Sequence, residues 1–437
     1  MKVLRKASAL QNYLSTHLSL LQSSKTLIVS SAPAPREETG PQKTDQILRN
    51  FQSGLQTHID QCQFFTSMQF NLQTISYGKN TLTAAYPTKN NVDEALELMK
   101  RTGATNVIGV GTGPAIDLAK ACYYRSREEG LLSVCDNAKL ILNPSTMGAI
   151  LSASSRNCLM LCPHEEALLP CFSSDADYAA TTIVLDDKSI AIPEWFVSKN
   201  DTAILRSQKG DVATIVDSVL ACLVVSLDAA HSLGDILPLE ETAEKYYSEI
   251  LDECVTNALA CIDSIETSLN DGDMQAAVRS SKEHAITSML CAGQLLSFGQ
   301  STILPRRNVS VAMTSALLPK YFPRGNWSTF VSSLLPGLCH AINESESSKN
   351  NELLQKVASR IAQTEDSSDP FPNLIEWVEG VSYKQRQIDI PCLSSLAEGA
   401  PDPNELVAKV EDNGAFINCY DADSSFLEIL IGANLNR

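Results

Sequence analysis

The sequence is poor in basic residues and has no long hydrophobic run. Its 437 residues include 34 Lys and Arg against 51 Asp and Glu, which gives a formal net charge of −17 at pH 7. Such a polyanion repels phosphate backbones and anionic lipid headgroups, so we expect neither nucleic acid nor a membrane as a partner. The most apolar stretch, Val219–Leu227, has nine residues, whereas spanning a bilayer takes about 20.

Cysteine is plentiful, but the pattern does not indicate a disulfide framework. The 13 cysteines are scattered through a long chain and their number is odd, which favours free thiols in a reducing compartment and hence a cytoplasmic protein. The first 36 residues contain five basic side chains and no acid before Glu37, a composition also compatible with a transit peptide for the mitochondrion or another organelle. We favour an ordinary first helix at residues 7–21, because the strand predicted at Lys25–Ser31 would otherwise have no preceding element to pack against.

Two domains of different class follow from the length and from the hydrophobic patterns. Hydrophobic residues make up 44% and charged residues 19% of the chain, a balance that excludes a disordered or collagen-like protein. Residues 1–190 alternate strand and helix patterns, such as the strand Asn106–Val110 between helices at Val92–Thr102 and Ala115–Tyr124, which predicts an α/β domain with a parallel sheet. Residues 191–437 are predicted to be all-α. The predicted helices there are Val212–Leu233, Thr242–Ile262, Met274–Phe298, Ser328–Ile342, Glu352–Ala362 and Pro403–Val410.

A glycine-rich turn joins the strand Asn106–Val110 to the next helix. The segment Gly109–Lys120 has the sequence G-V-G-T-G-P-A-I-D-L-A-K. Glycines let the backbone approach a phosphate closely, and a helix N-terminus offers free N–H groups. Pro114 suits the first helical position but lacks an N–H that a diphosphate would use. The glycine spacing differs from G-x-G-x-x-G, so a structural turn and a phosphate site both remain open.

The order of these segments resembles the iron-containing (group III) alcohol dehydrogenase family over essentially the whole chain. In that family G-G-G-S-x-x-D-x-A-K holds the pyrophosphate of a nicotinamide dinucleotide, and P-T-T-x-G-T-G-S-E lines the cofactor. The second motif corresponds to Pro144–Gly148 here, and Ser31 stands where the family often has an aspartate that binds the adenosine ribose. The resemblance implies a Rossmann-like dinucleotide-binding domain followed by an all-α domain, the architecture shared with dehydroquinate synthase. The implied cofactor-binding residues are Ser31, Gly111, Thr112, Gly113, Pro114, Asp117, Ser145, Thr146 and Gly148.

The departures from the family motifs predict weak binding of NAD or NADP. Thr112 replaces a glycine where the backbone presses on the diphosphate, and Pro114 replaces a serine and removes an N–H donor. Ser31 removes the charge that would reject a 2′-phosphate. We therefore expect little preference between NAD and NADP.

The resemblance also implies a metal site, of which only one ligand position is retained. The family motif D-A-L-x-H supplies two metal ligands four residues apart on one helix face. Asp217 matches the first, but Ala221 stands at the second, and the family's next two histidines fall near Val311 and Arg324. Iron or zinc needs three or four N, O or S ligands, so we expect neither metal. Arg324 could pair with Asp217 or polarise a carbonyl as a catalytic residue, and we favour pairing because buried charges mostly pair.

Two further polar groups have local interpretations. Asp228 and His231 lie three residues apart on one predicted helix, and we interpret them as a local polar pair rather than a metal site. The sequence Asp271-Gly272-Asp273 before Met274 predicts a turn and a helix N-cap.

Two functions therefore remain open. The first is an NAD(P)-dependent dehydrogenase or reductase of a small alcohol or aldehyde, with Asp217 and Arg324 as its catalytic residues. The second is a non-catalytic pseudoenzyme kept for nucleotide binding or protein assembly. The missing ligands favour the second function, and the partly retained phosphate turn favours the first. A homodimer, common in the family, is compatible with the acidic surface.

Overall fold

The computed structural model describes most of the predicted elements in two compact units, Met1–Ile192 and Pro193–Arg437. The predicted helix at residues 7–21 lies outside the described residues, as do Thr112, Ser145, Thr146 and Arg324, and only the backbone is described for Ser31 and Pro114. The described residues are 2–5, 25–31, 65–70, 74–77, 80–83, 89–111, 113–128, 139–144, 147–155, 181–185, 203–234, 241–297, 308–322, 327–364, 369–382, 390–397, 399–412 and 423–435.

The first unit is built on a parallel sheet of six strands. Its sheet order is β1-β8-β7-β6-β2-β3, and each neighbouring pair is parallel, while β4 and β5 form a separate antiparallel pair. The strands are β1 (Lys2–Arg5), β2 (Lys25–Ser31), β3 (Phe65–Phe70), β4 (Thr74–Tyr77), β5 (Asn80–Thr83), β6 (Ala104–Gly111), β7 (Leu140–Pro144) and β8 (Thr181–Leu185).

Among the described residues, the helices that accompany this sheet are α1 (Lys89–Thr102), α2 (Gly113–Glu128) and α3 (Met147–Ser154). The central strands are continuous apolar runs buried on both faces, such as residues 27–29 and 107–110, which is the composition of a sheet covered by helices on each side. Helix α1 buries Ala95, Leu96 and Met99, as its periodicity predicts. The predicted α/β architecture with a parallel sheet is confirmed.

The second unit contains helices only, within its described residues. The helix predicted at Ser328–Ile342 is in fact two helices, because Pro336 lies in the first turn of the second one and cannot donate the N–H that would continue the first. The helices are α4 (Ala203–Gly234), α5 (Glu241–Asn270), α6 (Met274–Leu296), α7 (Val309–Tyr321), α8 (Trp327–Ser333), α9 (Leu335–Glu344), α10 (Glu346–Lys349), α11 (Glu352–Ala362), α12 (Phe371–Ser382), α13 (Leu393–Leu396), α14 (Pro403–Glu411) and α15 (Ser424–Leu435).

Helix α4 is the central element of the second unit. Helices α5, α6, α8 and α11 all pack against it. Because it has neighbours on several sides, its segment Val212–Leu233 carries apolar residues on nearly every face. Among the described residues, its segment Ile215–Leu233 alone is long and apolar enough to cross a membrane, and 94% of that segment is buried. Burial of this extent is typical of the core helix of a folded domain.

Candidate functional site

Three neighbouring strands of the sheet end side by side at the residues that the sequence singled out. In the pairing of β2 with β6, Ser30 lies opposite Val110, so Ser31 comes next to Gly111. In the pairing of β6 with β7, Gly111 lies opposite Pro144. Because the strands are parallel, their carboxyl ends lie at one edge of the sheet. This carboxyl edge brings together the starts of all three segments implied to contact a dinucleotide.

The carboxyl edge also contains the point where the strand order reverses. From β2 the chain passes to β3 on one side, and β6, the next strand of this sheet, lies on the other side of β2. Open α/β sheets bind ligands outside the carboxyl ends of their strands at such a reversal. The reversal falls between the ends of β2 and β6, at Ser31 and Gly111.

The glycines of the turn have separate structural roles. Gly111 has φ +125°, a backbone conformation that L side chains rarely adopt, and α2 begins at Gly113 just beyond it. Gly109 allows α2 to pack closely on β6, because a Cβ there would lie 2.7 Å from the Ala119 Cβ and 3.2 Å from Leu142 Cδ2. The turn thus places the N-terminal end of α2 at the carboxyl edge.

Asp117 is the counter-ion of a buried lysine behind the turn. The Lys120 ammonium lies 2.9 Å from Asp117 Oδ1, and both side chains are 0% exposed. Lys120 also donates hydrogen bonds to the carbonyl oxygens of Ser152 at 2.5 Å and Ser155 at 3.1 Å. Lys120 was not among the predicted site residues, although the D-x-A-K motif contains it.

The described surroundings of Asp217 contain few groups that could bind a metal. Its side chain is half-buried on α4 and accepts a hydrogen bond of 3.0 Å from the hydroxyl of Thr329 on α8. Ala221, one turn further along α4, and Val311 on α7 are both buried, and their side chains have no atom that could coordinate a metal. No group of three or more His, Cys, Asp or Glu side chains suited to a metal occurs among the residues that the structure describes. The described residues therefore supply fewer than the three or four N, O or S ligands that iron or zinc needs.

Asp228 and His231 connect α4 to distant parts of the second unit. The buried Asp228 carboxylate accepts hydrogen bonds from Val309 N at 3.1 Å, Ser310 N at 2.8 Å and Ser310 Oγ at 2.6 Å. His231 Nε2 shares a hydrogen bond of 2.8 Å with the Ser348 hydroxyl. These contacts hold α7 and α10 against α4.

No protein-family model matches the sequence, and no curated protein matches it significantly. Solved structures do match it over its whole length. An iron-containing alcohol dehydrogenase from Thermococcus thioreducens has 16% identity and a TM-score of 0.59, with coverage of 100% of this chain and 98% of that chain. A maleylacetate reductase from Agrobacterium tumefaciens has 13% identity and a TM-score of 0.59, with coverage of 100% and 96%.

An archaeal halo-thermophilic alcohol dehydrogenase from a Red Sea brine pool has 14% identity and a TM-score of 0.65. The superposition covers 99% of this chain and 97% of that dehydrogenase. The TM-scores and the coverage establish the fold, whereas identities this low say nothing about the chemistry of the site, which depends on its own residues. The chain therefore has the fold of the iron-containing alcohol dehydrogenases, as its motifs predict.

Proposed function

We propose that the first unit binds a nicotinamide dinucleotide, NAD or NADP, at the carboxyl edge, and that the protein does so without a catalytic iron or zinc. The observation that carries this proposal is the strand register that makes Ser31, Gly111 and Pro144 neighbours. The N-terminus of α2 supplies N–H groups and the positive end of a helix dipole for the diphosphate. The segment after Pro144 would then line the cofactor, through Ser145, Thr146 and Gly148.

The proposed affinity is low. Pro114 removes one N–H donor to the diphosphate, and a charge-assisted hydrogen bond of this kind contributes about 1.5–3 kcal/mol. That loss corresponds to roughly one to two decades in the dissociation constant. Ser31 carries no charge to repel a 2′-phosphate, so NAD and NADP bind about equally.

The proposed function is that of a nucleotide-binding protein that has lost metal-dependent oxidoreduction. Hydride addition to a carbonyl leaves a developing alkoxide, which needs a positive charge or donors already in place. At the positions where the family has metal-binding histidines, the side chains of Ala221 and Val311 cannot coordinate a metal. The Thr329 hydroxyl already donates to Asp217. These three side chains support a non-catalytic role over a dehydrogenase.

Calorimetric titration with NAD and with NADP tests the nucleotide part of the proposal. We expect dissociation constants weaker than micromolar that agree within about threefold. Thr112→Asp should abolish binding through repulsion of the diphosphate, while Thr112→Ser, a neutral change at the same position, should not. Failure of the wild-type protein to bind either nucleotide at millimolar concentration would overturn the proposal.

Metal analysis and turnover assays test the non-catalytic part. We expect no iron or zinc in the purified protein and no stimulation of NADPH oxidation by added ferrous iron or zinc with small aldehydes. Metal-stimulated turnover would overturn this part. Weak metal-independent turnover that Arg324→Ala abolishes, with the fold intact, would instead establish the reductase in which Arg324 polarises the carbonyl.

We also propose a cytoplasmic location, on the chemistry of the thiols. The seven cysteines that the structure describes are all free, and six of them are buried. Free thiols of this kind are typical of a reducing compartment. Fluorescence microscopy of a carboxyl-terminal fusion tests the proposal, and import into an organelle would contradict it.

A further inference from the structure

Lys120 is a lysine with no exposed side-chain surface, and its ammonium contacts oxygen atoms from two helices. Asp117 supplies the counter-ion within α2, one turn away, at 2.9 Å. The other two contacts are the carbonyl oxygens of Ser152, in the last turn of α3, and of Ser155, the residue that follows this helix. A fully buried ammonium is expensive unless it is paired and hydrogen-bonded. The three contacts meet that requirement and fasten α3 to α2.

Helix α3 connects this ammonium to the proposed dinucleotide site. It has eight residues, so it is about 12 Å long. Its C-terminal carbonyl groups face the cation, which also interacts favourably with the negative end of the helix dipole. Its N-terminal end begins at Met147, directly after the segment that follows Pro144 at the carboxyl edge. Seven of the eight residues of α3 are buried, so the helix packs as a unit, and loss of the attachment at its C-terminal end should shift Met147 and Gly148 at its other end.

We propose that Asp117 and Lys120 are positioning residues for the dinucleotide: through α3, they fix the place of Met147 and Gly148, the first two residues of that helix. This inference rests on the proposed function. It gives Asp117 a role that does not require contact with the cofactor, because its carboxylate is wholly buried against Lys120.

Stability and positioning can be separated at this pair. Replacement of a buried ion pair by apolar residues of similar size is often neutral or stabilising, whereas removal of one partner is strongly destabilising. The double change Asp117→Leu with Lys120→Met therefore should keep the first unit folded. The same change removes the ammonium group that donates to the carbonyl oxygens of Ser152 and Ser155, so α3 loses this attachment to α2.

The experiment compares this double variant with the wild-type protein by thermal unfolding, by hydrogen exchange of residues 147–155, and by NAD titration. We expect a similar midpoint, exchange of α3 about tenfold faster, and NAD affinity about tenfold weaker. The matched control is Lys100→Met. Lys100 also forms an ion pair three residues back, with Glu97 at 3.0 Å, but on the exposed face of α1. That variant should leave α3 exchange and NAD affinity unchanged.

The neutral pair Asp117→Asn with Lys120→Gln, which leaves no buried charge unpaired, replaces the double variant if the latter does not fold, and should show faster α3 exchange with weaker NAD binding. Wild-type exchange and wild-type affinity in a folded variant would overturn the inference, and so would faster exchange without loss of affinity. If the wild-type protein binds no nucleotide, the proposed function fails, and α3 exchange alone still decides whether Lys120 fastens this helix.

Discussion

Asp228 and Ser310 are 82 residues apart in the chain and are joined by two hydrogen bonds, from Ser310 N and from Ser310 Oγ to the same carboxylate oxygen. Val309 N donates to the other oxygen. These amides belong to the first turn of α7, where N–H groups have no partner within the helix. Asp228 thus caps α7 from another helix, and its charge lies at the positive end of the α7 dipole.

Removal of this cap should be costly. Asp228→Ala leaves two buried N–H groups without an acceptor, at about 1–3 kcal/mol each, so we expect the free energy of unfolding to fall by about 3 kcal/mol. Ser310→Ala removes one hydroxyl donor and should cost about half as much. Urea denaturation measures both changes. The matched control is Asp252→Ala, because that aspartate is 34% exposed and pairs with Lys356 at the surface. Equal losses for Asp228→Ala and Asp252→Ala would contradict the capping role.

Gly109 should tolerate no side chain. In Gly109→Ala the new Cβ would meet the Ala119 Cβ at 2.7 Å, and since both atoms are fixed to the backbone, β6 and α2 must separate. We expect a loss of about 1–3 kcal/mol in unfolding free energy. Adding Ala119→Gly removes the clash and should recover part of that loss, despite the low helix propensity of glycine.

Gly380 provides the comparison for Gly109. It lies in α12, and a Cβ there would meet no atom within 4 Å. Gly380→Ala should therefore stabilise the protein by about 0.5–1 kcal/mol through helix propensity. A Gly109→Ala variant as stable as the wild-type protein, or strict additivity with Ala119→Gly, would show that β6 and α2 are not in close contact.

Local patterns in the sequence predicted the elements that depend on local physics. The spacing of the apolar residues in α1 matches its buried face, and the sequence Asp271-Gly272-Asp273 predicted a cap for α6. The structure has this cap, with Asp273 Oδ1 accepting a hydrogen bond of 2.8 Å from Ala276 N. The parallel sheet followed from the alternation of strands and helices, and the fold from the order of the motifs.

Contacts between residues far apart in the chain could not be predicted from the sequence. The start of α7, V-S-V-A-M-T, contains two valines and a threonine, which are β-branched residues that favour strands. Its helical state depends in part on the cap from Asp228, which comes from a distant helix. The Thr329 partner of Asp217 was missed for the same reason, because nothing in the local sequence around either residue links them.

The buried cysteines should be unreactive in the native protein. Burial raises the pKa of the Cys261 thiol to about 12 and raises the pKa values of Cys122 and Cys339 further. The thiolate is the reactive form, so these three thiols should resist maleimide labelling at pH 8 until the protein unfolds. The partly exposed Cys392 should be labelled in the native state. Site-resolved mass spectrometry checks this, and native labelling of Cys122 as fast as that of Cys392 would contradict it.

The same raised pKa values predict a loss of stability at alkaline pH. A thiol that stays neutral in the folded state but ionises from about pH 9 in the unfolded state contributes stability that is fully present below pH 9. That contribution is lost as pH rises toward 12, by up to about 1.4 kcal/mol per pH unit for each thiol. The Cys261→Ala variant should therefore show a shallower fall of unfolding free energy between pH 9 and 11 than the wild-type protein. Identical slopes would show that Cys261 ionises equally in both states.

A charge at the end of β2 should create a preference for NAD. Ser31 lies beside Gly111 at the carboxyl edge, where an acidic residue binds the ribose hydroxyl groups of NAD and repels the 2′-phosphate of NADP. We expect Ser31→Asp to weaken NADP binding by at least about tenfold at low ionic strength and to leave NAD binding unchanged or stronger. Ser31→Asn, of similar size but neutral, should not discriminate between the two. Because added salt screens a charge repulsion, the preference should shrink at high ionic strength. Calorimetry with both nucleotides measures it, and an equal change for NAD and NADP would mean that the adenosine ribose does not lie at the end of β2.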